Sequence, residues 1–257
     1  MFRILFFSLS MLLAHTMFGC AQHTAGPPVE APTVSHAIWD KLLKSHVNKE
    51  GFVDYKGFIR DSTKLNEYLA LLSAANPKAD NWSREEQMAF WINAYNAFTV
   101  KLIVDNYPVN SIKDIKKGIA FVNSVWDIQF IKIGGDTYDL NNIEHGILRS
   151  KFKDARIHAA INCASYSCPA LRDEAYTADK LDKQLTDAMR KFVNDPARNK
   201  VSAKKAEISE IFKWFRKDFT RDAGSIRGFL NKYADKKLDA NGKISHMDYN
   251  WKLNESK

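Results

Sequence analysis

From Val34 onward, stretches with apolar residues every three to four positions alternate with shorter apolar or extended ones. Helical spacing runs through Val34–Val47, at Ala37, Ile38, Leu42, Leu43 and Val47, with Ser35 as a candidate cap. It recurs over Lys64–Ala75, where Leu65, Tyr68, Leu69 and Leu72 share a face and Asn76-Pro77 stops the helix. Ser83-Arg-Glu-Glu86 then forms a capping box: the Ser83 hydroxyl can take a free backbone N–H while Glu86 reaches back. A wide apolar face follows (Met88, Trp91, Ile92, Tyr95, Phe98, Thr99 and Leu102), and Pro108 predicts an end near Asn106. Further helices are predicted over Ile143–Arg149 (capped by Asn141 or Asn142), Thr177–Val193, Glu210–Phe215 (capped by Ser209) and Ser225–Ala234. Extended pieces are predicted at Gly51–Tyr55, at Ile128–Ile133 turning through Gly134-Gly135 into Thr137–Leu140, at Lys200–Ile208, and as a closing strand in Lys243–Asn254. The apolar run Ile157–Ile161 reads as a buried strand. The fold class is therefore α+β: a mostly helical single domain with a small, mainly antiparallel sheet.

The N-terminus changes the picture of where this domain sits. Arg3 precedes an apolar run, Ile4–Leu13, that is short for a membrane span, and Met17-Phe18-Gly19-Cys20 follows. Residues 1–20 thus read as a secretory signal. Gly19-Cys20 resembles a bacterial lipoprotein processing site in which Cys20 carries the lipid, although Met17 and Phe18 depart from the usual residues there; a simple signal peptide cut nearby is the alternative. By that resemblance Ala21, rather than Asp, implies the outer membrane of a Gram-negative cell. Residues 21–33, with Gly26, Pro27, Pro28 and Pro32, read as a flexible tether, and residues 34–257 as one globular domain. The net charge of +8 is spread along the 257 residues without a dense Lys/Arg block or zinc-finger spacing. The expected partners are a membrane, through the N-terminal lipid, and a small-molecule or peptide ligand; no nucleic acid is expected.

Without Cys20, two cysteines remain, and both fall in Arg156–Pro169. Cys163, Ser165, Tyr166, Ser167 and Cys168 crowd into six positions just past the apolar run, where a rigid element can hold reactive groups near solvent. Upstream, Asn93 and Asn96 lie on one side of the aromatic helix. Asn is a poor helix-interior residue, so the pair either pins neighbouring loops or forms a polar wall of a cysteine pocket. His145 and Arg149, at i and i+4, share a face of the Ile143–Arg149 helix. On a strand, His158, Ala160 and Asn162 would share the face opposite Ile157 and Ile161.

Six stretches together carry a family resemblance: Glu85-Glu86 with Phe90–Asn96; Ile143–Arg149; Arg156-Ile157-His158; Asn162-Cys163 with Ser167-Cys168-Pro169; Phe212-Lys213-Trp214 with Asp218-Phe219; and Asp248-Tyr249-Asn250-Trp251. They resemble the domain-of-unknown-function 547 family over residues 36–254. The resemblance implies kinship with bacterial secreted or lipid-anchored members and a shared polar set of Asn93, Asn96, His145, His158, Cys163 and Cys168, but no settled activity. His246 departs from the pattern and is set aside.

The favoured chemistry is a thiol nucleophile at Cys163 or Cys168, with His158 or His145 as base and Glu144, Asn93 or Asn96 orienting it, in a hydrolase or acyl transferase. Asn96, Trp91, Arg149 and Ser165 are expected to contact the ligand. The alternative is a non-enzymatic binding module, stapled by a Cys163–Cys168 disulfide, whose aromatic residues, with Trp126, Trp214 and Trp251, line a groove. Two His and two Cys also suit zinc, yet their spacing matches no metal motif, so neither metal nor cofactor is expected.

Overall fold

The helices form where apolar periodicity recurs, and some add a side-chain cap, from Asp54, Ser83 or Ser225. In the computed structural model, which describes residues 33–78, 81–115 and 124–256, the first three are α1 (Ala37–His46), α2 (Tyr55–Arg60) and α3 (Ser62–Ala74). The four expected residues of α3 are its buried face. The extended piece predicted at Gly51–Tyr55 bridges at Val53 to Val47 and Glu255 and ends at Asp54, whose side chain accepts the Gly57 N–H and starts the helix at Tyr55. The capping box at Ser83 and Glu86 is complete and opens α4 (Arg84–Asn106), whose residues Met88–Val100 are all buried. α4 is the axis of the larger core, which gathers α1–α3, the Ile131–Ile133 strand and Leu148. The signal over 1–20, Cys20, and the tether apart from Thr33 lie outside the described residues.

A hairpin of β1 (Ile131–Ile133) and β2 (Asp136–Tyr138) turns at Gly134-Gly135 as expected, with Ile133 opposite Asp136. The next segment, Asn142–Phe152, is a π-helix, whose i→i+5 bonding marks many functional sites. Its start is fixed reciprocally, Asp139 Oδ1 accepting the Asn142 N–H while Asn142 Oδ1 accepts the Asp139 N–H.

Ile157–Ile161 is not a strand. Residues Ala155–Ala159 form a 3-10 turn capped by Asp154, whose side chain accepts the Arg156 N–H and pairs with the Arg156 guanidinium. Alanines 155 and 159 pack in the second core, with Met189 and Phe192 of α5 (Leu181–Asn194). A short apolar run buried on all sides has no period that separates strand from turn.

The second core is completed by β3 (Lys200–Val201), β4 (Lys205–Ser209), α6 (Ile211–Trp214), α7 (Arg216–Ala223), α8 (Ile226–Tyr233) and β5 (Lys243–Met247). β3 and β4 are antiparallel, whereas β5 runs parallel to β4, with Ile208 opposite His246. The closing strand stops at Met247. Residues beyond it turn back onto the cysteine loop: Tyr166 N–H donates to Lys252 O, Ser167 N–H to Asn250 O and Asn254 N–H to Ala164 O. The domain is α+β, with two small, mostly antiparallel sheets.

Candidate active site

Three converging elements carry the site. The π-helix supplies Glu144 and His145, the 3-10 turn and cysteine loop supply His158, Cys163 and Cys168, and α6 with the returning tail supplies Trp214, Tyr249 and Trp251. Together with Tyr95 of α4 they line a cavity of about 180 Å³ between the two cores.

The loop is held by a ladder of buried amides. Asn96 Nδ2 donates to Ala160 O at 2.9 Å, and Asn96 Oδ1 accepts the Asn162 N–H at 2.8 Å. Asn162 Nδ2 donates to Pro169 O, closing the loop, while Asn162 Oδ1 accepts from Ala164 N–H and Asn254 Nδ2. These bonds hold Ala164 at φ +60°, a left-handed conformation that is uncommon outside glycine. Cys163 is thereby fixed at the cavity wall.

The Cys163 sulfur lies 3.0 Å from Ser165 Oγ and 3.3 Å from Tyr249 OH, which are themselves 2.9 Å apart. The Cys168 thiol is the strongest influence holding Cys163 below an ordinary thiol. Burial opposes it, and the Ser165 and Tyr249 hydroxyls and the Ser165 N–H add to the stabilisation of the thiolate. Cys168 moves the other way: burial and its thiolate neighbour push it up, so it keeps its proton. The disulfide alternative is not met, because both cysteines are free. Cys168 Sγ instead accepts the Cys163 N–H at 3.0 Å.

Glu144 is buried, with Tyr95 OH 3.5 Å from its Oε2. Burial and then the Cys163 charge push its carboxyl up to about 7. His158 lies flat against Phe215, ring centroids 4.0 Å apart. Its Nε2 is 2.9 Å from Asp218 Oδ2, and its Nδ1 faces Glu144 Oε1 at 4.0 Å. Burial pushes His158 down, with the Asp218 bond resisting. For Asp218, burial is outweighed by hydrogen bonds from His158 and Arg149, which hold it well below the usual carboxylate range. Arg149 Nε donates to Asp218 at 2.7 Å, and Arg149 NH1 lies 3.0 Å from His145 Nδ1.

The expected residues therefore separate. Cys163, Cys168, His158, His145 and Glu144 share the cavity, and Ser165 touches the Cys163 sulfur. Arg149 supports the wall through Asp218. Asn93 does not line the cavity: its amide pairs with both backbone groups of Tyr176. Asn96 likewise pins a loop, and Trp91 is core, edge-on to Phe90 and Tyr138. Among the described residues neither histidine hydrogen-bonds to the Cys163 sulfur; hydroxyls do. Nor is any group of three or more His, Cys, Asp or Glu among the described residues placed to hold a metal ion. Sequence reasoning missed Tyr249, Asp218, Phe215 and Asn141 as site residues. Tyr249 and Asp218 stand inside quoted motifs, which was the available signal.

No curated protein and no solved structure matches the chain. Residues 79–193 match the model of the family described as Protein of unknown function, DUF547. They run from the approach to α4 through the cysteine loop to the end of α5, and over that stretch the match supports the DUF547 family.

Proposed function

We propose that this domain is a cysteine-dependent acyl-transfer enzyme, a hydrolase or acyltransferase, held in the bacterial cell envelope by a lipid on Cys20. The observation that carries the reading is a half-buried Cys163 sulfur facing a cavity with two hydroxyl donors at 3.0 and 3.3 Å. A thiolate prepared this way is a nucleophile without a histidine in contact.

The reaction runs as a balanced acyl exchange. The Cys163 thiolate adds to the substrate carbonyl carbon, forming a C–S bond. The bond to the leaving group breaks, and Glu144, protonated about half the time near pH 7, gives that group its proton. Water or another acceptor then loses a proton to Glu144 and displaces the thiolate. His158, fixed by Asp218 and Phe215, is a positioning residue that faces Glu144, and Cys168 keeps its proton as a donor to Cys163. The wall of Trp126, Trp214, Trp251 and Ile161 suits an uncharged substrate end.

p-Nitrophenyl acetate tests the proposal. Intact-mass analysis is expected to find Cys163 acetylated and nitrophenol released over repeated turnovers. Cys163→Ala abolishes both, and Glu144→Gln accumulates the acyl-enzyme. Hydrolysis by Cys163→Ala at the wild-type rate, or a Cys163 that stays unmodified, would overturn it. The aromatic wall also favours a second reading, a binding module; on that reading Cys163→Ser leaves ligand binding intact and no acyl-enzyme forms.

A further inference from the structure

α6 and the residues after it present two faces. Ile211, Trp214 and Phe215 line the cysteine cavity, whereas Phe212, Lys213 and Arg216 line a second cavity of about 340 Å³ on the reverse side. The spacing i, i+3, i+4 of the first set, and i, i+1, i+4 of the second, divides one short helical segment between two cavities.

The second cavity has an unbalanced charge. Lys213, Arg216, Arg227 and His246 are four of its eight lining residues, and none of the eight is acidic. Two other basic cavities carry their own counter-ions: Lys200, Lys205 and Lys236 sit with Glu207 and Asp235, and Arg172 and Lys191 sit with Asp173 and Asp195. Here Glu210 pairs with Lys213 at 3.2 Å, but among the described residues Arg216 and Arg227 have no carboxylate partner. The Arg227 guanidinium is fixed in place by the backbone carbonyls of Asp239 and Gly242, which hold it without neutralising it. Ser225 adds a hydroxyl at the start of α8, and Phe212, Ile226 and Ile244 supply an apolar floor.

We propose that this cavity binds a phosphoryl dianion carried on a small apolar group. Two uncompensated guanidinium groups match an oxyanion of that charge with planar donor pairs. Arg227 is the preorganised element, and the exposed Arg216 and His246 close around the ligand from α7 and β5. The same chemistry occurs in a soluble phosphate monoester and in a lipid headgroup.

Isothermal titration calorimetry of the full chain with inorganic phosphate and phenyl phosphate, and sedimentation with phosphatidylcholine vesicles containing or lacking phosphatidic acid, distinguish the two sources. Saturable one-site binding of a soluble phosphate, at least tenfold weaker in the R216A/H246A variant, assigns the site to a free ligand. A gain in sedimentation with phosphatidic acid that the double variant loses, without soluble binding, assigns it to a headgroup. The single variant Arg216→Ala, with the unfolding midpoint of each variant, guards against a folding defect in the double one. Absence of both kinds of binding, or a double variant that binds like the wild type, would overturn the proposal.

Discussion

At Cys163 the acidity of the thiol is the sum of small, directional contributions, so it can be dismantled one atom at a time. Tyr249→Phe removes a hydroxyl 3.3 Å from the sulfur while keeping the ring. A hydrogen bond to a charged group is worth about 1.5–3 kcal/mol, or roughly one to two units of acidity. The midpoint of Cys163 alkylation by iodoacetamide, expected at about 6 in the wild type, should therefore rise in Tyr249→Phe, with alkylation at pH 6 slowed roughly fivefold or more. An unchanged midpoint would remove Tyr249 from the thiolate's environment. Glu144 gives a stability signature of opposite origin. Its folded carboxyl is raised from 4.5 to about 7, so the favourable contribution of the protonated form is complete below about 4.5 and is lost as pH rises through about 7. The loss above that window is on the order of 3 kcal/mol. Glu144→Gln, which cannot ionise, should flatten this part of the stability curve and be more stable than the wild type at pH 8 in urea titrations. A variant whose curve keeps the wild-type slope between pH 5 and 7 would assign that slope to another group.

At the scale of elements, the α4 amides separate support from chemistry. Asn96→Ala leaves Ala160 O and Asn162 N–H without their buried partner; the cost should be about 2–4 kcal/mol in denaturant unfolding, with a slower Cys163 because its loop loosens. Asn93→Ala should cost a similar amount yet leave Cys163 alkylation unchanged, because Asn93 fastens Tyr176 instead. Equal effects of the two variants on alkylation would mean that the loop senses general stability and not its own ladder. The same elements show what was legible in advance. α3, α4, α8 and the β1–β2 hairpin follow from caps, periodicity and a Gly-Gly turn, which are local signals. The strand read into Ile157–Ile161 failed because Asp154 caps a turn there and α5 buries it. The crowding of Cys163, Ser165 and Cys168 was also local, and so was visible. The donor Tyr249 reaches the sulfur only because the tail folds back 86 residues later in the chain, and Asp218 meets His158 across 60. No spacing rule announces contacts of that kind.

At the scale of the whole molecule, the cavity lies between two cores, and the proposed anchor decides what can reach it. The apolar run Ile4–Leu13 would span only about 15 Å as a helix, half the hydrocarbon thickness. Among the described residues no helix is long and apolar enough to cross a membrane. In the proposed attachment a covalent lipid would hold the chain, with more than one acyl chain to make it lasting and the net charge of +8 adding attraction to anionic headgroups. In a Gram-negative host the full-length chain should incorporate labelled fatty acid and sediment with outer membranes. Cys20→Ser should lose the label and appear in the soluble periplasm, with Cys163 alkylation intact because the proposed anchor lies about 140 residues before it in sequence and the proposed Pro- and Gly-containing tether would separate them. A wild-type chain that is soluble and unlabelled would withdraw the proposed anchor. A Cys20→Ser variant that still sediments would point to the protein surface as the membrane contact, and the cationic cavity behind α6 would be the first place to look for it.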